Sequence, residues 1–248
     1  VLTTAFLNAK KLHFNKKKIV NLKITTMRTH TKESQKNLTP RVALEYLVDG
    51  NNRFVNNLRY NRNLLQQVNE TSDGQFPFAI ILSCIDSRTS AELIFDQGLG
   101  DIFSVRVAGN VLNGDILGSM EFACQVAGSK LIMVLGHTKC GAVKGACSHV
   151  EMGHLTSLLE KVQPSVEKVQ SQGGSDLSFD DMVEEVSREN VLHHMEEILH
   201  QSSVLRKLFK ESKIGVVGAM YSVDSGEVEI LKELFYEEEP AAVVVGNV

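Results

Sequence analysis

Past an irregular opening stretch, the chain settles into short apolar runs separated by helix-length amphipathic segments. Phe78–Leu82 is apolar without interruption, which suits a strand buried on both faces of a parallel sheet. Ile102–Val107, Lys130–Leu135 and Ile214–Tyr221 read as three further strands. Between and around them the periodicity turns helical. Arg41–Asn56 carries Ala43, Leu44, Leu47 and Phe54 at helical spacing, with Thr39 placed to cap it and Pro40 at its first position. Ser90–Gln97, Gly114–Val126, Cys140–Ser148, residues 155–170 with a break at Pro164, and Asp180–Lys210 with a break near Gln201–Ser203 complete the predicted helices. Asp224-Ser225-Gly226 reads as a hairpin turn into an antiparallel edge strand, Glu227–Leu231. Strands alternating with helices predict an α/β fold. Its central sheet is mainly parallel, with one antiparallel edge strand, helices on both sides and an N-terminal helical arm. The polar segment 57–72 is that arm, of the kind that wraps a partner subunit.

Charge changes the picture at the front of the chain. Residues 1–38 hold nine Lys/Arg and a single acid, so the net charge of −4 conceals an acidic body. An acidic body argues against nucleic acid as a partner, and no run has the length of a membrane span. Residues 1–37 read as a basic, disordered tail and 38–248 as one domain. The chain is expected in the cytoplasm, or in an organelle if the tail is a transit peptide. Met27 is a candidate start of the native protein.

Four cysteines without a regular framework do not predict a disulfide scaffold. Cys124 and Cys147 lie in helical stretches and read as small core residues. Cys84 and Cys140 differ: each follows the end of a predicted strand, where open α/β sheets place their sites. His137 stands three residues before Cys140, at the corner where a strand gives way to a helix. Two thiolates and an imidazole form a donor set that zinc prefers, and three protein ligands leave a fourth position for catalysis. Asp86 is either a fourth ligand, closing the site, or the partner of Arg88, leaving it open. His149, His154, His193, His194 and His200 read as solvated helical residues, and Tyr221 as a strand-packing residue.

These motifs carry a resemblance. Cys84-x-Asp86-Ser87-Arg88, Phe95–Asp101, Val105–Asn110 and Gly136-His137-x-x-Cys140-Gly141-Ala142-Val143 resemble the β-class carbonic anhydrases. Gly50-Asn51-x-Arg53-Phe54 and Val217-Gly218-Ala219-x-Tyr221 extend the likeness over residues 38–232. Ile85 and Thr89-Ser90-Ala91 depart from the commonest pattern without touching a donor. The resemblance implies a zinc enzyme interconverting CO2 and bicarbonate through zinc-bound hydroxide. Its ligands would be Cys84, His137 and Cys140, its catalytic dyad Asp86–Arg88, and its assembly an intertwined homodimer or homotetramer. It places Gln75 at the substrate, and an apolar CO2 pocket is expected at Phe103 and Val105. The alternatives are a zinc hydrolase acting on COS or CS2, or a catalytically silent zinc-binding regulatory protein.

Overall fold

The structure is a computed structural model that describes residues 29–236 of the chain. The expectations for a transit peptide and for Met27 fall on residues 1–28, outside the described residues.

Five strands form one sheet: β1 (Ala79–Ser83), β2 (Ile102–Arg106), β3 (Leu131–His137), β4 (Gly215–Tyr221) and β5 (Val228–Leu234). Their order is β2-β1-β3-β4-β5. The first three pairings are parallel and only β4–β5 is antiparallel, with a register irregularity at Gly218/Ala219. The predicted fold class is the observed one.

Alternation along the strands divides the core between the two faces. Ile80, Leu82, Ile132, Val134 and Val216 point to one side. There they meet α5 (Gly114–Glu121), α9 (Phe179–Gln201) and α10 (Ser203–Lys210), through Met120, Val191, Met195 and Leu205. Ala79, Ile81, Leu131, Met133 and Val217 point to the other side, against α2 (Pro40–Val55) and α4 (Ala91–Ile94). Residues on both faces of β1, β3 and β4 are buried. That is why these strands read as unbroken apolar runs rather than as alternation.

Several boundaries shift. The Thr39 side chain does cap α2, accepting from the Val42 amide. Order begins ahead of Leu38, however: α1 (Lys32–Lys36) falls within the stretch read as tail. It is anchored by buried Gln35, whose amide donates to the Pro77 and Ala127 carbonyls at 2.7 and 2.9 Å. The helix expected over Ser90–Gln97 is only α4, because Asp96 turns the chain at φ 47°. Buried Asp96 accepts from Arg53 Nε at 2.6 Å and pairs with Arg62, tying α2 and the arm to that turn. The arm itself contains α3 (Leu64–Thr71). The break at Pro164 separates α7 (Gly153–Leu159) from α8 (Gln163–Ser171). The helix over Gly114–Val126 runs through α5 into a π-type turn at Phe122–Val126.

One helical histidine is not solvated. His194 of α9 is buried, and neither ring nitrogen has a hydrogen-bond partner. Burial, reinforced by the neighbouring His193 and Lys161, pushes its pKa down to about 3. The unfolded chain therefore takes up this proton first, near the ordinary value of about 6.5. Stability is full above that pH and falls as pH drops through the window toward 3. His194→Leu is expected to flatten this acid limb by up to a few kcal/mol. Melting temperatures of both proteins between pH 7 and 4 check it, and parallel curves would refute it.

Candidate active site

β1 and β3 are adjacent and parallel, with Ser83 opposite Leu135. Cys84 follows the carboxyl end of β1, and His137 is the last residue of β3. A tight turn then carries the chain to Cys140, directly ahead of α6 (Gly141–Cys147). The ligand atoms of Cys84, His137 and Cys140 all lie within 4.8 Å of one another, and all three residues are buried. The two sulfurs are 4.0 Å apart.

The turn is held from several sides. Lys139 adopts φ 57°, and its amide donates to Glu184 of α9 at 2.7 Å. Thr138 donates its amide to the Tyr221 carbonyl at 3.0 Å, and its hydroxyl accepts from the Val223 amide. Tyr221 packs in the strand as expected, opposite His137 in the β3–β4 register.

The electrostatics favour a cation. His137 Nδ1 lies 2.9 Å from the Thr138 carbonyl, which leaves Nε2 facing the sulfurs. That Nε2 is buried and has no hydrogen-bond partner. A buried imidazole nitrogen without a partner is costly unless an ion or water satisfies it. The hydrogen bond from Cys140 drives the Cys84 thiol down to about 4, against the opposing effect of burial. The same shared proton pushes Cys140 upward. Burial alone would lower the His137 pKa, but the negative charge of the nearby Cys84 sulfur raises it. All three donors thus compete for protons that a single dication would displace.

Asp86 and Arg88 stand at the rim. Asp86 accepts three bonds from Arg88: from the amide and Nε at 2.9 Å to Oδ1, and from Nη2 at 2.8 Å to Oδ2. These bonds hold the Asp86 carboxyl well below the usual carboxylate range. The structure therefore shows the paired arrangement. Asp86 is not among the clustered donors, and both its oxygens are engaged by Arg88 rather than acting as a fourth ligand.

Three expected substrate residues are elsewhere. Gln75 is exposed and precedes the amino end of β1, whereas Cys84 follows its carboxyl end. A five-residue strand separates them by roughly 17 Å, so within one chain Gln75 does not reach the cluster. It lines a hollow with Thr71–Gly74 and Gly100 instead. Phe103 and Val105 line a separate cavity of about 470 Å³ with Ile80 and residues of α5. No member of the metal cluster lines it.

One residue that sequence reasoning passed over braces the site. Arg106 donates from Nε to the Cys84 carbonyl at 3.0 Å and from Nη2 to the Asp86 carbonyl at 2.6 Å. It lies inside the Val105–Asn110 motif, so the signal was present as a motif position without a role. Distant motif fragments also converge. Asn51 donates to the Ile94 and Gly226 carbonyls and accepts from the Val228 amide.

A buried cluster of two cysteine sulfurs and an imidazole at the carboxyl ends of a parallel sheet, rimmed by a carboxylate–guanidinium pair, defines a metal-dependent enzyme of the α/β class. A family profile described as carbonic anhydrase matches residues 79–228. Carbonic anhydrase 2 of Mycobacterium tuberculosis is 36% identical over 198 residues, spanning 77% of this chain and 92% of that protein. The carbonic anhydrase of Mycolicibacterium smegmatis is 35% identical over 205 residues, spanning 80% and 96%. The crystal structure of the β-carbonic anhydrase CafA of Aspergillus fumigatus superposes with a TM-score of 0.63 at 28% identity, covering 68% of this chain and 81% of that one. The chain belongs to the β-class carbonic anhydrases. It interconverts carbon dioxide and water with bicarbonate and a proton. Among the described residues, no helix is long and apolar enough to cross a membrane.

Proposed function

We propose that Cys84, His137 and Cys140 hold one zinc ion per chain, and that Asp86 and Arg88 direct CO2 hydration beside it. The observation that carries this is the partnerless, buried Nε2 of His137, set among two sulfurs within 4.8 Å. Thiolate and imidazole together select zinc over hard cations, and three protein donors leave one position for chemistry. When bound, zinc supplies the Lewis acidity that brings proton loss from water to near neutral pH.

The chain's own residues supply the rest. Asp86, ionised and fixed by Arg88, is an acceptor only, so it orients the O–H of the attacking oxygen and leaves a lone pair toward CO2. Arg88 holds that carboxylate in a two-point geometry a lysine could not reproduce. Arg106 fixes the backbone carbonyls on either side of Ile85 and so sets the distance from ligand to dyad. The family assignment favours hydration over the COS and CS2 reading, and the Asp86–Arg88 pair speaks against a catalytically silent one.

The chain is also read as a homodimer or homotetramer. Leu58, Leu65 and Val68 leave 69%, 77% and 49% of their surfaces exposed along the arm. Exposed apolar side chains gathered on one segment suit burial against a second copy.

Native mass spectrometry of protein purified under reducing conditions reads both claims. The expected result is about one zinc per chain in a dimer or tetramer, with CO2 hydration in a stopped-flow assay. A reproducibly metal-free protein would sink the zinc assignment.

A further inference from the structure

α9 packs against β3 and α6, and one of its residues reaches the turn after β2 that touches Cys84. Asn190 is fully buried. Its Nδ2 donates to the Gly109 carbonyl at 2.9 Å, across 81 residues of sequence. Gly109 in turn donates its amide to Cys84 Sγ at 3.4 Å. The connection is short and dry: Asn190, one glycine, then a metal ligand.

The backbone between them is of a kind that needs holding. Gly109 and Asn110 both have positive φ, at 69° and 45°. Glycine accepts that region freely, but its freedom also means that nothing in its own side chain fixes it. The Gly109 amide points at the sulfur only while the following peptide keeps its orientation. Asn190 grips the carbonyl of that following peptide. The grip acts through geometry: the amide bonded to Cys84 and the carbonyl bonded to Asn190 belong to successive peptides.

Asn190 is a poor choice for packing alone. Its Oδ1 is buried with no hydrogen-bond partner. A leucine, branched in the same way though larger, would avoid that penalty, which is about 1–3 kcal/mol for a buried acceptor left unmet. What leucine cannot do is donate to the Gly109 carbonyl.

We infer that Asn190 is a positioning residue for the metal centre, holding the Gly109 amide in place as a hydrogen-bond donor to the Cys84 thiolate. This rests on the reading of Cys84 as a zinc ligand. An N–H donor to a ligating sulfur withdraws charge from it and fixes its direction, as outer-sphere partners do at other metal centres.

The test uses the full chain, loaded with zinc or with cobalt(II), and compares wild type with Asn190→Leu. His194→Leu serves as control, because it removes another buried polar side chain of α9 one turn away and leaves Gly109 untouched. In chelator competition, Asn190→Leu is expected to bind zinc roughly 10–100-fold more weakly. Its thiolate-to-cobalt charge-transfer band should shift. His194→Leu should match wild type in both readouts. If Asn190→Leu does not accumulate as folded protein, Asn190→Ala, which removes the donor without adding volume, is expected to show the same two changes. The inference is overturned if the Asn190 variants keep wild-type affinity and spectrum, or if His194→Leu loses as much. Wild-type protein that fails to bind zinc would instead overturn the ligand assignment, so the two failures are distinct.

Discussion

Cys84→Ser is expected to yield folded protein that has lost its zinc and, with it, CO2 hydration. Cys84 is the thiol most readily ionised, because the hydrogen bond from Cys140 drives it down to about 4. It also receives the Gly109 amide. Serine keeps the size of the side chain and a hydrogen-bond acceptor. Its hydroxyl, however, stays protonated at neutral pH and offers zinc a neutral oxygen in place of a soft anion. Removing a partner of a ligand already costs about 10–100-fold in affinity, so removing the ligand itself should exceed 100-fold. Metal analysis after gel filtration, with circular dichroism to verify the fold, measures the first effect. Stopped-flow hydration, falling to background, measures the second. Retention of full zinc and a normal rate would remove Cys84 from the site.

The second large effect is expected at Asp86→Asn, with the opposite metal signature. Asparagine preserves the shape of the side chain and both heavy atoms facing Arg88. It replaces an anionic acceptor by an amide whose nitrogen can only donate. The charge-assisted bonds from Arg88 Nε and Nη2 weaken, and the orientation of the attacking O–H is lost. Zinc content should remain at the wild-type level, since Asp86 stands outside the donor cluster. The turnover rate should fall by about 10²–10³-fold, within the range for a positioned acid–base group. The same geometry sets the pH behaviour. Arg88 keeps Asp86 ionised until well below the usual carboxylate range. Asp86 therefore contributes its full charge throughout neutral pH, and any inflection of wild-type rate near pH 7 belongs to another group. An Asp86→Asn protein with undiminished rate would strip the residue of its role.

How far the sequence reaches follows from which forces shape each part. The strands were legible because both their faces are buried, which leaves no polar positions to blur the runs at Phe78–Leu82 and Leu131–Leu135. The clustering of donors was legible because Cys84, His137 and Cys140 each sit at or just past the end of a strand. α1 was not, since Lys32–Lys36 is polar and its anchor is a lone buried glutamine. Within one chain Gln75 lies away from the cluster for a directional reason. Gln75 is near Cys84 in sequence, but an extended strand carries it to the far end of the sheet. His194 was misread because a histidine in an amphipathic helix reads as exposed, whereas α9 is covered by α8 as well as by the sheet. Arg106 and Asn190 act through backbone carbonyls 20 and more residues away. Such contacts leave no local pattern to read.

The placement of the ligands on β1 and β3 has a bearing on how the enzyme is made. In the chain these neighbours are interrupted by β2 and α5, and β2 lies on the outer side of β1. The polypeptide must complete that excursion and return before His137 stands beside Cys84. No early, local element contains two of the three donors from different strands, and His137 with Cys140 alone is half a site. On the proposed zinc assignment, metal capture therefore requires β1 and β3 already paired. Once made, it draws the folding equilibrium further toward the native state in proportion to the free zinc available.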